Sequence, residues 1–232
     1  MMTDIEEIRI GIIDDDELFC ETMSMLISKS ERFVVEFYVT NSEDLKEELL
    51  VKKIDILICD LKLKEENGID LCKSIKQIYQ DLKLIGLSSY YKPAFTVSMI
   101  NHGFNAFLSK NLEKKGIYHA LIQVFENGFY FNKEDYQAIK LAVENQTISV
   151  SMDCDIRNDL TEIDKQILLL IGEQMTCERI SYTLGLSYAV FKKQFAGLLK
   201  KLKANSMFDL FLAGMCCGIV DENKALKGCE SY

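Results

Sequence analysis

The sequence predicts an α/β protein, a doubly wound five-stranded parallel sheet followed by a small all-α domain. Three observations carry this expectation. Short apolar runs alternate with amphipathic helical stretches through residue 126. Beyond residue 158 only helical periodicity remains. Between the two lies NQTISVSMDCDIRND, polar and without period. Strands separated by helices at this interval need crossover connections, which build a parallel sheet covered on both faces.

Taken in order, residues 9–13 form the first strand, and a helix runs through Met23, Leu26 and Ile27. Residues 33–39 are the second strand, and 42–50 a helix with Ser42 placed to cap it. Residues 54–59 are the most apolar strand, and Ile69, Cys72, Ile75 and Ile78 keep helical spacing after it. Strands at 84–87 and 106–108 follow, with helices at 96–102 and 112–126. A short helix at 134–144 leads into the polar linker. The expected division is a first domain at 1–130, helix and linker at 131–158, a helical domain at 159–220 and a tail at 221–232.

Composition excludes several classes. With 48% hydrophobic and 27% charged residues among 232, the chain can bury a core and is not intrinsically disordered. The start, MMTDIEEIRIGII, is acidic and lacks the basic, then apolar, plan of a secretory signal. Charge interrupts every apolar run before membrane-spanning length, so a cytoplasmic protein with no membrane partner is expected. Eight cysteines scatter through core-like segments without C-x-x-C spacing, which favours reduced thiols over disulfides and leaves structural zinc a distant alternative. The net charge of −9 argues against a non-specific nucleic-acid binder. The balance is uneven, however, because Lys192, Lys193, Lys200, Lys201 and Lys203 cluster near the end.

Open parallel sheets place ligands at the carboxyl ends of their strands. Those ends carry Asp14 and Asp15, then Asp60, Ser88 and Lys110. Three converging carboxylates repel unless a cation sits among them, and hard oxygen ligands of this number suit Mg²⁺. An aspartate can also attack phosphorus to form an aspartyl phosphate, with the ammonium offsetting charge. Any one of these residues alone is more often a helix cap. The five in this order are specific.

IRIGIIDDDELF, DILICDLKLKEENGIDL, KLIGLSS and NAFLSK resemble the receiver domains of two-component response regulators over roughly residues 8–127. The resemblance implies a flavodoxin-like (CheY-like) fold with Asp60 as phosphoacceptor. It implies Mg²⁺ on Asp15, Asp60 and the Lys62 backbone carbonyl, with Asp14 acting through water. Ser88 and Lys110 would contact the phosphoryl group, and Phe107 takes the place of the aromatic switch residue that turns inward. Asp16 extends the acidic run, and the alignment of Ile13 selects Asp14 and Asp15. The chain departs from the family at Lys64 and Asn111, where prolines are common. Tyr90 is also large for its position and is expected to slow dephosphorylation by restricting water.

The segment LTEIDKQILLLIGEQMTCERISYTLGLSYAVFKKQFAGLLKKL breaks its helical spacing at Gly185-Leu186-Ser187, the plan of a helix-turn-helix. Val190, Phe195 and Leu198 are expected to face its core, leaving Tyr188, Lys192, Lys193 and Gln194 to meet double-stranded DNA. Charge runs alone fit a small bundle with a solvated lysine face. The I-S-x-x-L-G-L-S turn and the L-x-K-L-K-A that follows resemble the LuxR-type helix-turn-helix over 160–220. With ENGFYFN before the linker, this is the NarL/FixJ order of parts. Phe191, Gln194 and Arg179 depart from that pattern.

The resemblance implies a transcription regulator phosphorylated on Asp60 by a sensor histidine kinase. It would form a homodimer when phosphorylated, with the apolar helix at 207–217 as contact. It is not an enzyme beyond its own phosphorylation and dephosphorylation. The residues leave two other readings open. One is an adaptor whose helical domain binds protein. The other is an Asp-nucleophile phosphohydrolase, disfavoured because Lys62 stands where the acid/base Asp is needed.

Overall fold

The computed structural model describes residues 7–148 and 159–220, and it divides the chain into two compact units, Met1–Phe125 and Glu126–Tyr232. Most of the expected linker and all of the expected tail lie outside the described residues.

In the first unit, strands β1 (Ile8–Ile13), β2 (Phe33–Val39), β3 (Ile56–Asp60), β4 (Lys83–Ser88) and β5 (Ala106–Ser109) pair in parallel in the order β2-β1-β3-β4-β5. β3 is buried along its whole length and β1 along most of it, which explains their unbroken apolar runs. Helices α1 (Glu17–Ile27), α2 (Ser42–Val51), α3 (Gly68–Ile78), α4 (Thr96–Asn101) and α5 (Lys114–Asn127) supply the crossovers. The side chains of Asp16, Asn41 and Asn67 cap α1, α2 and α3. The expected cap at Ser42 is therefore one residue late, since Asn41 Oδ1 accepts the Asp44 N–H at 2.9 Å. A 3-10 turn at Pro93–Phe95 precedes α4.

The second unit is built from α6 (Lys133–Glu144), α7 (Glu162–Gly172), α8 (Cys177–Thr183), α9 (Tyr188–Lys201) and α10 (Met207–Cys216). The short turn between α8 and α9 holds Gly185 at φ +64, a conformation that favours glycine.

The expected division placed residues up to 130 in the first domain and the helix at 134–144 with the linker, whereas the second unit begins at Glu126. There Phe129 and Phe131 pack against Phe208 and Phe211, with ring centroids 5.2–6.3 Å apart. Asn127 Nδ2 donates to the Gln174 carbonyl at 3.0 Å, and the Gln174 amide exchanges hydrogen bonds with the Phe131 backbone. Tyr136 of α6 donates its hydroxyl to the Val220 carbonyl at 3.0 Å. The helix before the linker is thus part of this core. The expectation that α10 offers an apolar dimer contact also changes. Its side chains Leu210, Phe211, Leu212 and Ala213 are buried, and the helix packs on α7 and α6.

Candidate functional site

The sheet register assembles the acidic site. Ile13 pairs with Cys59, which sets Asp14 beside Asp60. Asp60 pairs with Leu87, the residue before Ser88, and Ser88 pairs with Ser109, the residue before Lys110. Residues far apart in sequence therefore share one sheet edge, at the carboxyl ends of β1, β3, β4 and β5.

Lys110 reaches across this edge. Its ammonium lies 2.5 Å from Asp14 Oδ2 and 2.9 Å from Asp60 Oδ2, with the ring of Phe19 4.6 Å away. Burial alone would lower the Lys110 pKa, but the Asp14 and Asp60 carboxylates against it outweigh burial and hold the ammonium above its ordinary value. Asp14 is 1% exposed, and burial raises its pKa despite the ammonium and the Asp16 N–H at 3.1 Å. Cys20 sits beneath, its thiol 3.5 Å from the Asp14 carbonyl and pushed up to about 12 by burial. It is a packing residue here and not a nucleophile.

Asp60 Oδ1 accepts the Lys62 N–H at 3.2 Å, so the loop after β3 folds back over the carboxylate. That loop depends on Gly68, since a Cβ there would lie 2.1 Å from the Asp60 carbonyl oxygen. Gly68 opens α3, and nothing in NGID signals that it neighbours Asp60. Lys64, 3.7 Å from Asp15 Oδ2, was likewise read only as a departure from proline. Ser88 Oγ accepts the Tyr90 N–H at 3.0 Å, which leaves its hydroxyl hydrogen able to donate. Tyr90 itself points out to solvent. Tyr91 is the residue that covers Phe107, at 5.0 Å between centroids. Phe107, the expected switch residue, is 2% exposed, with its ring enclosed at this face of the sheet.

The site fits a hard divalent cation. Asp14, Asp15 and Asp60 each offer a carboxylate oxygen, all within 4.8 Å of one another. Asp14 Oδ2 is buried beside the Lys110 ammonium without a well-directed hydrogen bond. One buried ammonium against three carboxylates leaves the cluster net negative, and oxygen donors of this kind suit Mg²⁺.

On the helical unit the expected contact residues separate. Lys192 and Lys193 are exposed, and Tyr188 is 43% exposed with the Lys192 ammonium 4.8 Å from its ring. Gln194 is not available. Its amide donates to Asp164 Oδ1 at 2.9 Å, inside the unit. The core phase of α9 also shifts by one residue at its start. Phe191 is 1% exposed and Val190 54% exposed, so Phe191 and Leu198 form the inner face with Phe195 half-buried. Positions 191, 195 and 198 keep i, i+4, i+7 spacing, whereas 190 lies about 100° around the helix from 191.

Residues 10–122 match the family model of the response regulator receiver domain. The chain is 22% identical over 213 residues to the transcriptional regulatory protein DegU of Brevibacillus brevis, covering 86% of this chain and 89% of that one. It is 24% identical over 199 residues to the Fimbriae Z protein of Salmonella typhimurium, covering 86% and 92%. Among solved structures, it resembles RcsB of Salmonella enterica serovar Typhimurium bound to promoter rprA with the phosphomimetic BeF₃⁻. That likeness has a TM-score of 0.52 and 18% identity, over 92% of this chain and 100% of that one, and it speaks to the fold.

Proposed function

We propose that this chain, a two-component response regulator of the NarL/FixJ type with its receiver domain at residues 10–122, is a phosphorylation-gated, DNA-binding transcription regulator of the cytoplasm. The observation that carries the reading is Lys110 bridging Asp14 and Asp60 at the sheet edge, on the same chain as a helix-turn-helix.

Asp60 is the phosphoacceptor. Its carboxylate oxygen attacks the phosphorus of a phosphohistidine on a sensor kinase. The new O–P bond forms as the P–N bond breaks, and the imidazole leaves and takes up a proton. Mg²⁺ held by Asp14, Asp15, Asp60 and the Lys62 carbonyl would offset charge on the transferring phosphoryl oxygens. Lys110 follows the charge by keeping its ion pair with the modified Asp60, and the Ser88 hydroxyl donates to a phosphoryl oxygen. Both shifts pull on β4 and β5, where Tyr91 packs on Phe107. The change at this face promotes a homodimer suited to paired half-sites on double-stranded DNA. Lys192 and Lys193 make the phosphate contacts, and Tyr188 lies beside them.

The test is direct. The full chain with Mg²⁺ and labelled acetyl phosphate should take up label that Asp60→Asn does not. With beryllofluoride as phosphoryl mimic it should select paired half-sites from random duplexes. Label retained by Asp60→Asn would move the phosphoacceptor elsewhere. Folded protein that selects no DNA would make the chain a protein-binding adaptor.

A further inference from the structure

In the first turns of α9, Lys192 and Lys193 are the only exposed charged side chains, able to hydrogen-bond a base edge as donors to guanine. Of residues 188–193, Phe191 is buried, and the rest of the exposed set is Tyr188, Ala189, Val190, Lys192 and Lys193. No Arg, Asn or Gln stands there to form paired hydrogen bonds with a purine, and no Asp or Glu to accept from cytosine. Gln194 follows, but its amide is committed to Asp164, which Lys201 also holds at 2.6 Å. The Lys192 ammonium is drawn to the Tyr188 ring, which leaves the apolar parts of Ala189 and Val190 as the outward surface of the first turn.

A single exposed valine is ordinary on a protein surface. Here Tyr188, Ala189 and Val190 all face outward at the start of the second helix of a helix-turn-helix, followed by two exposed lysines. The N-terminal residues of such a helix are the ones that reach base edges. In the major groove, the apolar group a base presents is the C5-methyl of thymine. We infer that this regulator recognises its site through thymine methyl groups packed on Ala189, Val190 and the Tyr188 ring, with Lys192 and Lys193 supplying phosphate contacts. The inference rests on the DNA-binding reading above and names the sequence class that reading leaves open.

Two duplex libraries test it, one of random sequence made with thymine and one with deoxyuridine throughout. The full chain with Mg²⁺ and beryllofluoride is used for selection from both. The selected thymine sites should carry thymine at fixed positions in each half-site. Replacing one of those thymines by deoxyuridine should weaken binding about fourfold, the worth of one buried methyl-sized group. Val190→Ser, checked for an unchanged melting curve, should bind the thymine and deoxyuridine versions of the site alike. Selection of a specific site whose affinity ignores the methyl would overturn the inference and leave DNA binding standing. Selection of no site by folded protein would remove both.

Discussion

Asp14 in the first unit and Asp164 in the second are both buried beside a lysine and are treated in opposite ways. Asp14 shares the Lys110 ammonium with Asp60 and keeps one buried oxygen without a well-directed hydrogen bond. Asp164 is 0% exposed, and both its oxygens are satisfied. Oδ1 accepts from Gln194, and Oδ2 accepts from Lys201 at 2.6 Å and from the Thr161 N–H at 3.0 Å. Burial raises both carboxyls. At Asp14 it prevails, while at Asp164 the Lys201 and Thr161 hydrogen bonds overturn it and the pKa falls. A buried carboxylate with both oxygens hydrogen-bonded is a structural clamp, here joining the start of α7 to α9. One left short, beside two more carboxylates at a sheet edge, is held ready for a ligand.

The largest test of the contrast concerns the core that the clamp organises. Phe191→Ala should cost the helical unit about 3–5 kcal/mol, read by denaturant unfolding of the full chain. An effect no larger than that of Val190→Ala would return the α9 core to the phase expected from sequence. Next, Asp164→Ala should cost about 3 kcal/mol and speed amide exchange in α7 and α9, because Gln194 loses its acceptor and Lys201 its buried partner. Asp14→Asn should leave stability unchanged or raise it, since it removes a buried charge that the protein meets poorly. If Asp14→Asn destabilised as much as Asp164→Ala, the distinction between clamp and ligand site would fail.

Gly68→Ala should cost about 1–3 kcal/mol, because the added methyl would drive the loop off the Asp60 carbonyl. The same variant should slow uptake of label from acetyl phosphate. The smallest effect is in pH. The folded Asp164 carboxyl titrates below its unfolded value of about 3.9, so its contribution is fully present above that value. It is lost as pH falls through the folded pKa. Amide exchange in α7 should therefore accelerate below about pH 4 in the wild-type chain, and Asp164→Ala should lack that added acid sensitivity.

Much of this was legible without coordinates, for reasons that differ between the units. In the first unit, strands buried on both faces announce themselves as apolar runs, and the residue following each run must fall at the ligand edge. Asp14, Asp60, Ser88 and Lys110 could therefore be named before the sheet was seen. The helical unit offered periodicity, a turn glycine and a lysine cluster, all of which place helices without rotating them. A one-residue error in phase sufficed to exchange Val190 for Phe191. Gln194 looked available because its acceptor, Asp164, stands 30 residues earlier.

The sequence by itself determined the order of elements, the parallel sheet and the set of polar residues brought to its edge, because each depends on local pattern and strand alternation. Only tertiary structure decided which face of α9 is inward, that α10 is enclosed, and that the segment before α6 packs with the helices. It also decided that Phe107 is buried beneath Tyr91. Those outcomes turn on partners distant in the chain, such as Asn127 with Gln174 or Tyr136 with Val220. Local spacing carries no record of a partner dozens of residues away, whereas close packing selects the single helix rotation that fills the core.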